Sequence, residues 1–258
     1  MDAWIDTYHA VHRLTGQGTF VFLTDSAVGS QEEDNLRHLV TNLGTDVPRE
    51  RIVPFLTTKH PIEYCLSYAE RARQSGFPAL VVLGGDKRLG TPRAVAHGWQ
   101  LRQMLRSHDH EILMGGWANP NADPERQVDY LTAADFNAEF YLTQIVSHHT
   151  IGPVAKFLET AARRGLDIPG VFGVFFYRSA NARTLNELKA FLPVPSEGLT
   201  RDFGEGASAE GVCARTIRSL IDVGAKHFYI SNLPSPRAPQ VLASILERAG
   251  VHNGSLSR

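Results

Sequence analysis

Seven short apolar runs, set apart by longer amphipathic ones, constrain the folding of this chain more than any other feature. They are residues 19–24 (TFVFLT), 51–57 (RIVPFLT), 79–83 (ALVVL), 111–117 (EILMGGW), 139–146 (EFYLTQIV), 171–177 (VFGVFFY) and 225–231 (AKHFYIS). Rich in Val, Ile, Phe and Tyr, and nearly continuous in hydrophobicity, they read as parallel strands covered on both faces. Between them apolar residues recur at helical spacing. Leu36, Leu39, Val40 and Leu43 do so in 31–43, Ile62, Leu66 and Ala69 in 61–74, and 152–164 and 209–223 follow the same rule. Gly76, Gly165 and Gly224 stand where helices should stop. An opening segment with Trp4, Tyr8, Val11 and Leu14 reads as a helix where a first strand would otherwise stand, and the glycine-rich stretch 193–208 reads as a surface loop.

Strand–helix units repeating at about 30 residues predict a parallel sheet. A closed (β/α)8 barrel takes about 250 residues and eight strands, and this chain has 258 residues. The reading is an α/β, TIM-barrel-like (β/α)8 fold, incomplete at seven recognisable strands, forming one domain over 1–258. An open doubly wound sheet would carry a glycine-rich nucleotide turn after an early strand. The turn after Thr24 is DSAVGS, which is not that motif, and no Walker motif occurs.

With 26 basic and 27 acidic residues the formal charge is −1, which supplies neither a nucleic-acid-binding field nor a polybasic stripe for lipid. No run approaches the roughly 20 apolar residues of a membrane helix. The N-terminal segment lacks the basic region and cleavage site of a secretory signal. Cys65 and Cys213 share no metal or disulfide spacing. Two isolated thiols suit a reducing compartment, so the expectation is a cytoplasmic protein acting on a small molecule.

In a (β/α)8 barrel the chemistry lies at the carboxyl ends of the strands. The polar residues closing the apolar runs are Thr24 and Asp25, Thr57 and Thr58, Asp86, Trp117 to Asn121, Thr143 and Gln144, Tyr177 and Arg178, and Ser231 and Asn232. Amides, hydroxyls and aromatics of this kind suit a flat heterocycle, read at its edge by hydrogen bonds and on its face by stacking. No serine triad or paired Cys/His set is visible. His148-His149 is not read as a metal pair, because adjacent side chains diverge on a regular helix or strand.

These residues resemble the methylenetetrahydrofolate reductases. LVVLGGD at 80–86 is similar to that family's leucine-arginine-glycine-aspartate strand end. VPFLTTKHPIEYCLSYAERARQSGFPALVVLGGD matches the run leading into it. GGWANPNADPE at 115–125, NAEFYLTQ at 137–144 with the signature Thr-Gln, IPGVFGVFFYRS at 168–179 and KHFYISN at 226–232 follow in register. The likeness covers residues from about 19 to 249. It implies a barrel flavoprotein that passes hydride from NAD(P)H through FAD to 5,10-methylenetetrahydrofolate, giving 5-methyltetrahydrofolate.

On that resemblance Asp86 tunes the reaction electrostatically near the flavin and pterin, and Gln144 hydrogen-bonds the folate. Thr24, Gly85 and Trp117 line the flavin and pterin region, with Asn119 and Asn121 beside it. Asp129 matches an aspartate that contacts the ribityl or adenosine portion of the flavin. Arg178 and Asn232 fall on the substrate side, Arg178 for a glutamate tail or a phosphate. Asp86, Asn119, Asn121 and Asn232 are equally residues that form caps and turns.

The sequence also departs from the family. The strand carrying its general-acid Glu, within a Glu-Phe-Phe-Pro-Pro motif, has no counterpart, and Asp25, at the end of the first surviving strand, is the candidate substitute. Gly84 stands where the family has Arg, Phe55 where it has His, Ala133 or Ala134 where it has Lys, and Leu233 where it has Arg. Those losses remove donors for a dinucleotide pyrophosphate. Three readings stay open: a reductase with weakly held flavin, a flavin-free relative with direct hydride transfer from nicotinamide, and a non-catalytic or partner-dependent folate- or pterin-binding subunit. A missing strand would leave the runs at 19–24 and 225–231 to be covered by the N-terminal helix, a second copy or a partner chain. In every reading Asp86, Gln144 and Trp117 are expected around one pterin-sized cleft.

Overall fold

The computed structural model describes residues 2–24, 40–41, 44, 46–108 and 111–251. All seven apolar runs are strands: β1 (Val21–Leu23), β2 (Ile52–Thr57), β3 (Ala79–Leu83), β4 (Leu113–Ala118), β5 (Phe140–Val146), β6 (Gly170–Phe175) and β7 (His227–Ser231). Their order in the sheet is their order in the chain. β1 pairs parallel with β2, β2 with β3 and β3 with β4; β5 pairs parallel with β6 and β6 with β7. Helices alternate with them: α1 (Asp2–Gly16), α2 (Ile62–Gln74), α3 (Gly98–His108), α4 (Pro124–Thr132), α5 (Ile151–Arg163), α6 (Ala182–Lys189), α7 (Ser196–Gly204), α8 (Ala209–Asp222) and α9 (Ala238–Ala249). The fold is α/β, of TIM-barrel type, with seven strands among the described residues. The turn at 25–30, most of the helical pattern at 31–43, and residues 252–258 lie outside them.

The chain divides into two compact units. The first holds Met1–Gly116 with Ala133–Phe140. Every residue of β2 is buried, as expected of a strand covered on both faces. Val11 of α1 joins Ile52, Leu56, Leu80, Leu101, Leu105 and Met114 in the core. In α2, Cys65, Tyr68, Ala69 and Ala72 form the apolar stripe at 3.6-residue spacing. The segment at 133–140 is tied into this unit by Arg102, whose Nε and Nη2 donate to Phe136 O (2.9 and 2.6 Å) while Nη1 donates to Val82 O (3.1 Å). Burial lowers the Arg102 pKa to about 10, and three carbonyl contacts hold the guanidinium in place of an ion pair. Glu139 Oε2 accepts the amide of Met114 at 2.7 Å, extending the same tie.

The second unit holds Trp117–Thr132 with Tyr141–Arg258. The expected helix ends are present here and in the first unit: Gly76, Gly165 and Gly224 have φ of 83°, 66° and 97° after α2, α5 and α8. One expectation fails. The stretch 193–208 is not a loop but carries α7, which buries Gly198, Leu199 and Asp202. Leu199 joins Tyr177, Leu185 and Val212, with Phe203 against them, and this packing overrides the poor helix propensity of the glycines.

Both thiols are closed to solvent. The Cys65 Sγ lies 3.7 Å from Thr57 O, and burial pushes the Cys213 thiol up to about 12. No helix among the described residues is long and apolar enough to cross a membrane.

Candidate functional site

In the first unit, β3 runs out into Gly84-Gly85-Asp86. Asp86 Oδ1 accepts the amides of Arg88 and Leu89 at 2.7 and 2.8 Å, so the side chain closes a turn, as an aspartate in such a sequence does. Those two N–H groups hold its carboxyl below the usual range, helped by Lys59 and Arg93. Lys59 is buried, and its Nζ donates to Leu89 O and Thr91 O, both at 2.6 Å, which pins the loop back on itself. Thr58 Oγ1 donates to Gly84 O at 2.9 Å.

Arg93 is a residue the strand pattern did not find. Its guanidinium bonds Gly85 O and Ala96 O, and a Cβ on Gly84 would meet its Cζ at 2.8 Å. Position 84 is therefore overlain by a guanidinium from the loop, nine residues on. No local periodicity links positions 84 and 93, which is why the sequence did not reveal it. Arg93 Nε is buried without a hydrogen-bond partner. Thr24, at the end of β1, is exposed.

In the second unit, β5 carries the Thr-Gln pair at a break in register. Leu142 pairs with Val171 and Ile145 with Gly173, so an extra residue is accommodated between them. Thr143 Oγ1 fills the gap by accepting the Gly173 amide at 3.0 Å, and donates to Gln144 O at 2.9 Å. Tyr229 Oη donates to Thr143 O at 2.6 Å. Gln144 Oε1 accepts the Ile145 amide at 2.9 Å, and the side chain is partly exposed.

After β4, Asn119 Oδ1 accepts the Asn121 amide at 3.1 Å, and Asn121 Nδ2 donates to Ile145 O at 3.2 Å, so this turn is fastened to the end of β5. Trp117 is 37% exposed. Asn232 has φ of 69° and donates from Nδ2 to Phe176 O at 3.0 Å, linking the loop after β7 to the end of β6. Arg178 is exposed beyond β6. Asp129 lies on α4 and binds Arg164 at the end of α5 at 2.8 Å, an ion pair between helices. Asn121 and the Thr143–Gln144 bulge are thus brought together, as are Asn232 and the end of β6. Thr24, Gly85 and Asp86 belong to the other unit. Asp25 lies outside the described residues.

The same unit holds a cluster that departs from the sequence reading. His148 and His149 do not diverge, because 148–150 form a single 3-10 turn after Ser147, whose hydroxyl accepts the His149 amide at 3.3 Å. Their ring centroids lie 3.9 Å apart. Both Nε2 atoms meet Asp202 Oδ2, at 3.1 Å from His148 and 3.0 Å from His149. Asp202 Oδ1 lies 3.0 Å from Arg215 Nη2, and His148 Nδ1 lies 2.9 Å from Thr216 Oγ1. Burial first, and then His149, lowers the His148 pKa against the pull of Asp202. The only signal in the sequence was the His-His pair. Asp202 sits 53 residues away from it on a helix read as loop.

No family model matches the chain, and no curated protein does. Among solved structures, one from a study of a monomeric dihydrodipicolinate synthase variant aligns over 96% of this chain and 91% of its own. It is 12% identical, with a TM-score of 0.41, a likeness that bears on neither activity nor substrate.

Proposed function

We propose that this chain is an oxidoreductase resembling methylenetetrahydrofolate reductase, delivering hydride from NAD(P)H to the exocyclic methylene carbon of 5,10-methylenetetrahydrofolate. Nicotinamide is oxidised. The methylene carbon gains the hydride and becomes the N5-methyl, and ring opening puts a proton on N10. The observation that carries the reading is the bulge at Thr143–Gln144. It interrupts a buried parallel strand at the signature Thr-Gln pair, and bulges re-aim side chains beside active sites. A glutamine amide offers both a donor and an acceptor to a pterin edge. The resemblance gives Asp86 the role of stabilising positive charge developing on the iminium, and the amides of Arg88 and Leu89 favour its ionised form.

The donor set does not fit a tightly held FAD. In the first unit the buried and half-buried cations are taken up, since Lys59 after β2 and Arg93 in the loop after β3 already bond backbone carbonyls, and the other cations of that loop, Lys87 and Arg88, are exposed. A pyrophosphate is held by several donors together. Hydride therefore passes directly from nicotinamide to the folate carbon, with no flavin between them.

The test is oxidation of NADH and NADPH by the purified full chain with and without methylenetetrahydrofolate, alongside folate calorimetry. Folate-dependent oxidation is expected, with Gln144→Ala and Asp86→Asn each lowering kcat/KM by about 10²-fold or more, the scale of losing one aligned polar group. Absence of both turnover and folate binding overturns the reading. Binding without turnover selects the alternative, a folate- or pterin-binding subunit completed by a partner chain or a second copy. One observation favours that alternative: β1 and β7 end the strand order, each with a single paired neighbour among the described residues.

A further inference from the structure

We infer that His148, His149 and Asp202 form a binding site for a divalent metal ion of the zinc class, independent of the folate reading. One ligand atom from each of the three residues lies within 4.8 Å of the other two. Asp202 Oδ2 stands 3.1 Å from His148 Nε2 and 3.0 Å from His149 Nε2. A tetrahedral ion with bonds of about 2.0–2.1 Å places its ligand atoms roughly 3.3 Å apart, close to the two Nε2–Oδ2 separations. Two imidazoles and a carboxylate are the donors that zinc and its first-row neighbours take. Three protein ligands leave a fourth position for water or a ligand oxygen.

The arrangement is built by three separate segments. The turn after β5 sends two consecutive imidazoles to one side. Helix α7 reaches them only because residue 198 is glycine: a Cβ there would stand 2.5 Å from His149 Cγ. One turn further on, that helix delivers Asp202, whose side chain is 8% exposed. Helix α8 then meets the outer atoms, with Thr216 Oγ1 on His148 Nδ1 and the charge of Arg215 3.0 Å from Asp202 Oδ1. Each is the kind of outer partner that fixes a ligand's orientation. With a proton on each Nε2, both rings donate to Oδ2 and leave no lone pair there for an ion. With metal at Nε2, the proton of neutral His148 moves to Nδ1, where Thr216 Oγ1 accepts it. The site thus takes up an ion by a change of tautomer, with the outer partner of His148 already in place.

The experiment uses the full, untagged chain stripped of metal with chelator. Zn²⁺ is titrated by calorimetry and Co²⁺ by visible absorption, and the imidazole nitrogens are followed by ¹⁵N NMR. One equivalent is expected, with Co²⁺ bands of a four- or five-coordinate ion and an Nε2-metallated, Nδ1-protonated His148. His149→Gln and Asp202→Asn should each weaken binding at least 100-fold. Thr216→Val, which keeps all three ligands, should weaken it about 10-fold or more. Circular dichroism checks that each variant is folded, and if Asp202→Asn is not, His149→Gln and the tautomer change decide. Absence of saturable binding in the unaltered chain overturns the inference, as does binding that His149→Gln leaves unchanged. Neither result depends on folate turnover, so this site and the proposed reaction stand or fall separately.

Discussion

The hydrogen atom that serves as the side chain of Gly198 sets where the His149 ring can lie. A methyl there meets His149 Cγ at 2.5 Å, near the ring's attachment point, so the ring cannot swing aside at its tip. Alanine gains up to about 1 kcal/mol in a helix interior, whereas overpacking costs about 1–3 kcal/mol. Gly198→Ala should therefore destabilise the protein by about 1–2 kcal/mol in denaturant unfolding and separate the imidazole from Asp202. The separation is read as a changed His149 resonance, and a variant as stable as the parent with that resonance unmoved would refute the steric argument. At this scale the sequence was partly legible. Asp86 stood out because a carboxylate in a Gly-Gly turn is a local signal, and its turn is local too. Arg93 over Gly84 and Asp202 under the histidines are meetings across sequence distance, which no window of residues encodes.

At the level of elements, the bulge in β5 depends on a buried contact from β7. Tyr229 Oη reaches Thr143 O at 2.6 Å, and Gly173 leaves room for the ring, since a Cβ there would lie 2.5 Å from the hydroxyl. Tyr229→Phe leaves that carbonyl without its donor, and an unmade buried hydrogen bond costs about 1–2 kcal/mol. The expected result is a stability loss of that size, with the Thr143 and Gln144 amide resonances shifting most. Shifts confined to the neighbourhood of residue 229 would show that the bulge holds without it. Strands such as β2 and β3 were readable because burial on both faces leaves continuous apolar runs. Helix α7 was not, because glycines at 198 and 204 lower its propensity while Leu199 and Phe203 secure it through contacts made only after folding.

For the molecule as a whole, the alternation of strand and helix follows from seven runs and their spacing, and the sheet keeps the order of the chain. The return of 133–140 to the first unit was not visible in that alternation. It rests on Arg102 reaching a carbonyl 34 residues away. Both native thiols are enclosed, one in each unit. Ellman's reagent should therefore titrate no thiol in the folded chain and two after denaturation, and rapid reaction of either under native conditions would contradict the packing described for α2 and α8. The same enclosure has a practical side. A cysteine introduced at an outward-facing position would be the sole reactive handle, so a fluorophore or spin label could be attached at one chosen place on the otherwise unaltered protein.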